Sequence, residues 1–188
     1  MSVVAWVTAV LALGACGGGD DGPVAGGQST SSTQSRSPEP VVTAPARTTS
    51  TISPIEGVQT YEVEAAHSDA PLTYPQVPPV GGIHSPLRQP CAFYPAPVPN
   101  EKAVHSLEHG AIWITYRPDL PQGEIDSLAD LAGGRKLVLV SRWDSGLPSP
   151  VVATAWGRQL LLQSTADPRL MEFVRVYANR GPEIDAPC

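Results

Sequence analysis

An α+β fold, a small mixed β-sheet carrying two or three helices, is predicted for residues 56–188 of this 188-residue chain. Three observations predict it. Apolar runs rich in β-branched residues alternate with segments of helical spacing, in the order strand, helix, strand, strand, helix. Glycine and proline mark the boundaries between them. An irregular, Pro-rich and His-bearing segment leads into that series.

Taken in order, Val58 to Ala65 alternates apolar and polar residues and is read as a strand. Tyr74 to Gly82 is extended chain broken by a turn. Asn100 is the expected N-cap of a short helix, Glu101 suits its first turn and Gly110 sits at its C′ position. Ala111 to Tyr116 reads as a strand that Pro118 ends. Gln122 to Ala132 has Ile125, Leu128, Leu131 and Ala132 at helical spacing, and Gly133-Gly134 stops it. Leu137 to Val140 is a buried strand. Val151 to Leu162 reads as one further strand, with a bulge at Gly157. Asp167 caps a last helix whose stripe is Leu170, Phe173, Val174 and Tyr177. The strand–helix–strand unit is expected to be a right-handed parallel crossover, with the helices on one face of the sheet.

The residues before the domain read as an address and a tether. Val3 to Leu13 is an apolar run too short for a bilayer span, which needs about 20 residues, but it has the length of a signal-peptide core. It ends in Leu13-Gly14-Ala15-Cys16, a lipobox, so residues 1–15 are expected to be cleaved and Cys16 to take a lipid. No Lys or Arg stands ahead of the core, which a start codon assigned too far downstream explains. Residues 16–55 are mostly Gly, Ser, Thr and Pro and cannot bury enough apolar surface to fold. As a flexible coil they reach about 35 Å. The expected location is the extracytoplasmic face of the cell membrane, with the membrane as partner through the lipid. No protein partner is named by any motif.

Net charge excludes some classes. The chain carries −6, and its 12 Lys and Arg residues form no run. Nucleic-acid binding needs clustered cations, so that class is set aside, as is docking on anionic lipid by charge alone.

The four histidines are His67, His84, His105 and His109. His105 and His109 lie one helical turn apart with Glu108 beside them, an arrangement suited to one metal ion. His84 follows Gly81-Gly82, where small residues let backbone approach a site. The candidate metal ligands are therefore His84, His105, His109 and Glu108; the path of the loop around His67 leaves its membership open. Imidazoles suit one copper or zinc ion, and binding is expected to weaken below about pH 6. With two Met residues, one of them Met1, a Met-rich Cu(I) carrier is excluded. A structural role, in which these histidines satisfy backbone carbonyls or the helix dipole, is the rival reading.

Cys91 and Cys188 form an even pair once Cys16 is lipidated. In an oxidising compartment a disulfide is favoured, worth about 4–5 kcal/mol by chain entropy. The rival places Cys91 as a thiolate ligand beside the histidines.

Gly81-Gly82-Ile83-His84, Cys91-Ala92-Phe93-Tyr94 and Ala103-Val104-His105-Ser106-Leu107-Glu108-His109-Gly110-Ala111 resemble the signature of the domain of unknown function 3105. Thr154 to Arg158 and Arg180 to Glu183 resemble it as well, so the likeness spans roughly residues 60–188. Ala92 stands where members often carry Gly. The resemblance implies a bacterial, exported or membrane-attached protein and points to His84, His105, Glu108 and His109. It supplies no reaction.

Three functions follow. The first is a membrane-anchored lipoprotein that binds copper or zinc through the histidines. The second is a structural or interaction module of the cell envelope. The third is a small metal-dependent hydrolase, since His105-Ser106-Leu107-Glu108-His109 fits H-x-x-E-H. The short helix argues against the third, so no catalytic residue is assigned.

Overall fold

Ile112-Trp113-Ile114-Thr115-Tyr116 is buried at every position. A strand of this kind must be covered on both faces, because successive side chains point to opposite sides. That requirement organises the domain in the computed structural model, which describes residues 55–144, 146–184 and 188. The expected signal peptide, Cys16 and the tether as far as residue 54 lie outside the described residues.

In chain order the elements are β1 (Gln59–Thr60), β2 (Ala66–His67), β3 (Ile83–His84), β4 (Phe93–Tyr94), α1 (Asn100–Glu108), β5 (Ile112–Tyr116), α2 (Gln122–Gly133), β6 (Val138–Arg142), β7 (Val151–Ala155), β8 (Arg158–Leu162) and α3 (Pro168–Tyr177). Six strands form one mixed sheet in the order β1-β8-β7-β5-β6-β4. The β5–β6 pair is parallel, joined through α2, and β4 adds to β6 in parallel. The β5–β7, β7–β8 and β1–β8 pairs are antiparallel. The fold is α+β as expected. Among the described residues no helix is long and apolar enough to cross a membrane.

The alternation of β5 and β6 settles where the helices go. Ile112, Ile114, Tyr116, Val138 and Val140 pack with Leu128 and Ala132 of α2 and Leu170, Phe173 and Val174 of α3. Trp113 and Leu139 turn the other way and pack with Ala103 and Leu107 of α1. The helices therefore cover both faces, which corrects the one-sided packing expected from sequence. Each fully buried Leu or Phe on these faces contributes about 1.5–3 kcal/mol. Trp113 lies in the apolar layer under α1, and its indole N–H donates to Ser141 Oγ at 2.9 Å.

Several elements differ from expectation. Val151 to Leu162 is a hairpin, not one strand: Ala155 pairs with Arg158, and Trp156-Gly157 forms the turn. Gly157, the second residue of the turn, has φ +64°, a conformation glycine adopts without steric cost. Of Val58 to Ala65 only Gln59–Thr60 joins the sheet, against the start of β8. Asn100 is inside α1, with Pro99 at the N-cap and no side-chain capping bond. Asp167 does cap α3, accepting from Arg169 N–H at 2.9 Å.

Cys91 and Cys188 are joined in a disulfide across 97 residues, with Cα atoms 5.1 Å apart. This sets aside Cys91 as a thiolate ligand. The bond ties the chain end to the loop entering β4. Replacing both cysteines by serine is expected to lower the unfolding free energy by up to about 4–5 kcal/mol, measured by urea unfolding with the slope fitted separately for each protein.

Candidate metal centre

The site grows from the C-terminal half of α1. A nine-residue helix brings His105 and Glu108 to the same side, and His109 follows as the C-cap. The loop from Gly82 to Gln89 wraps this helix. Ser85 N–H donates to Glu101 O at 3.2 Å and Gln89 N–H to Lys102 O at 3.0 Å. Ser106 Oγ donates to Gln89 O at 2.6 Å. These bonds use backbone groups that an irregular loop would otherwise leave unpaired, and they bring His84 over Glu108.

His67 arrives by strand pairing. In the two-stranded parallel ladder of β2 and β3, Ala66 is in register with Ile83 and His67 with His84. Ser68 N–H extends the ladder to His84 O at 2.7 Å. His67 stacks on His105 with ring centroids 5.1 Å apart and an interplanar angle of 19°. It meets His84 edge-on at 4.8 Å. Trp156, in the β7–β8 turn, closes His84 from another side with ring centroids 5.8 Å apart.

The distances converge on one carboxylate. Glu108 Oε2 lies 2.9 Å from His84 Nε2 and 3.5 Å from His67 Nε2. His105 Nε2 lies 2.8 Å from His109 Nε2. Donor atoms of His67, His84, His105 and Glu108 all lie within 4.8 Å of one another, so this group could hold a metal ion. On an ion with bonds of about 2.0–2.1 Å, neighbouring ligands stand about 2.9–3.4 Å apart. The His84–Glu108 and His67–Glu108 separations fall at or near that range. Glu108 is 2% exposed and His84 fully buried, whereas the His67 side chain is 47% exposed.

The hydrogen bonds behind the rings fix their tautomers. His84 Nδ1 is 2.7 Å from Gly82 O, His105 Nδ1 is 2.7 Å from Ser85 O and His109 Nδ1 is 2.8 Å from Glu183 O. A carbonyl oxygen only accepts, so each Nδ1 carries a proton. In the neutral ring the Nε2 lone pair then points inward. Metal-binding histidines are characteristically held this way, since the outer hydrogen bond sets ring orientation and raises basicity. Two lone pairs cannot face one another at 2.8 Å, nor a lone pair a carboxylate oxygen at 2.9 Å, without a cation, proton or metal, between them.

A close approach of the C-terminal segment completes the site. Asn179 N–H donates to Gly110 O at 2.8 Å and Glu183 N–H to Glu108 O at 3.1 Å. Gly110 has φ +83°, and a Cβ at Gly181 would overlap the Glu108 carbonyl. Glycine at both positions is therefore a requirement of packing.

Sequence spacing brought forward His84, His105, His109 and Glu108. The structure gathers His84, His105 and Glu108 into one group, adds His67, and leaves His109 against His105. Glu183 had no role in the spacing argument; its only trace was its place in the motif-bearing tail.

Residues 66–188 match the model of a family described as protein of unknown function (DUF3105). The chain belongs to that family. Neither a curated protein nor a solved structure matches it. The DUF3105 match opens at Ala66 and closes at Cys188, so it takes in all four histidines, Glu108, Glu183 and both disulfide cysteines.

Burial pushes the His105 imidazole below its ordinary range, against an upward pull from the Ser85 carbonyl. A folded value under the unfolded one means that the unfolded chain binds the extra proton first. Stability from this group is full above about pH 6.5 and is lost as pH falls through the folded value. Metal-free protein is expected to keep a constant melting temperature from pH 8 to pH 7 and to lose it progressively below pH 6.5. His105→Gln is expected to flatten that slope. Gly181→Ala is expected to destabilise by more than about 2 kcal/mol, measured by urea unfolding.

Proposed function

We propose that this DUF3105 protein is a membrane-anchored extracytoplasmic lipoprotein that binds a transition-metal ion, copper or zinc. The ion is held by His67, His84, His105 and Glu108, with His109 against His105. The observation that carries this reading is the convergence of ring nitrogens of His67, His84 and His105 with the buried Glu108 carboxylate, all within 4.8 Å of one another.

Three imidazoles and a carboxylate suit Cu(II) or Zn(II), and raw affinity follows the order that puts copper highest. Holding an ion fits the geometry better than hydrolysis does. In an H-x-x-E-H hydrolase the glutamate acts as a free general base, whereas Glu108 Oε2 is engaged by His84 and His67. The lipobox ending in Cys16 supports the address, and the tether composition supports a domain held clear of the headgroups.

Protein from an exporting host is expected to carry metal measurable by elemental mass spectrometry, and the His105→Ala/His109→Ala double variant to lose it. Added Cu(II) or Zn(II) at about a hundred times Kd is expected to stabilise by about 2.7 kcal/mol, read as a higher melting temperature. No metal in the wild-type protein, even after reconstitution, leaves the interaction-module reading. Cys16→Ala is expected to move the protein from the membrane fraction to the soluble extracytoplasmic fraction; retention in the membrane overturns the anchor.

A further inference from the structure

Glu108 belongs to two groups at once. Beside His67, His84 and His105, its carboxylate also lies with His109 and Glu183 in a second set whose donor atoms are all within 4.8 Å of one another. The backbone builds this set as firmly as the first. Glu183 N–H donates to Glu108 O at 3.1 Å, and Glu183 O accepts from His109 Nδ1 at 2.8 Å. The same tail is held at Gly110 through Asn179 N–H.

A carboxylate has two oxygens and about four lone-pair sites, so one glutamate is able to serve two cations. Two-metal sites hold their ions about 3.5–4 Å apart, a separation that a bridging carboxylate spans. The first group leaves His109 outside it. An ion bound by His67, His84, His105 and Glu108 takes no donor from His109 or Glu183. His109 Nε2 then still points at His105 from 2.8 Å, on a residue only 6% exposed, with the Glu183 carboxylate close by.

We propose that Glu108 bridges two divalent first-row metal ions, the second held by His109 and Glu183. This rests on the metal-binding reading above and extends it from a mononuclear to a dinuclear centre. One imidazole and two carboxylates form a more oxygen-rich set than the first group, suited to a borderline cation such as Zn(II). Glu183 is exposed, so the second ion is the more readily exchanged of the two.

The test uses the full chain, solubilised from membranes, loaded with Zn(II), dialysed and assayed by elemental mass spectrometry. Two zinc ions per chain are expected, falling to one in Glu183→Gln. That variant alters an exposed side chain, and an unchanged melting temperature of its metal-free form will show that the fold is intact. One zinc in both proteins overturns the second site and leaves the first standing. No zinc in either overturns both. Reloading with Cu(II) adds an independent readout. Two copper ions sharing Glu108 are expected to couple, so the integrated paramagnetic resonance signal falls below the copper content in wild type and equals it in Glu183→Gln. Full intensity from two copper ions per wild-type chain overturns the bridge.

Discussion

A carboxylate withdrawn from water has to be met by positive charge or by hydrogen-bond donors, because the cost of leaving it alone is prohibitive. Glu108, 2% exposed, imposes that demand on the centre of this domain. Around it the chain arranges His84 at 2.9 Å and His67 at 3.5 Å, with Trp156 packed edge-on against His84. Its backbone carbonyl takes the Glu183 amide. Segments distant in the sequence are thus brought to one residue.

That convergence depends on α1 being immobile. The helix is short, and isolated helices of this length are marginal in water. Tertiary contact supplies the stability: Ala103 and Leu107 against Trp113 and Leu139, the Ser85–Gln89 loop along one side, and the C-terminal tail over its last turn. The disulfide between Cys91 and Cys188 links the loop entering β4 to the end of that tail. The fold thus works as a frame in which the large cluster behind the sheet provides most of the apolar burial, and the smaller cluster in front positions a polar site.

Much of this was legible in the sequence. Helical spacing located α2 and α3, and β-branched runs located β5 and β6, because short-range periodicity reports burial directly. The same runs carry a further signal: Ile112-Trp113-Ile114 and Leu137 to Val140 are apolar at consecutive positions, which implies cover on both faces. Gly157 was noticed but read as a bulge, since a lone glycine within a strand pattern fits either a bulge or a tight turn. The Asn100 cap failed because the preceding Pro99 sets the entry to the helix with backbone alone.

By itself the sequence determined the order of the three helices with β5 and β6, the family, and the placing of His105, Glu108 and His109 on neighbouring turns of one helix. Those features depend on spacing of a few residues, where backbone geometry leaves little freedom. Only the tertiary structure decided that His67 stands in register with His84, that Glu183 reaches Glu108 and His109, and that α1 lies on the opposite face from α2 and α3. Those outcomes turn on loops rich in Pro and Gly, whose paths are chosen by which distant backbone groups they can satisfy, and no local pattern records that choice.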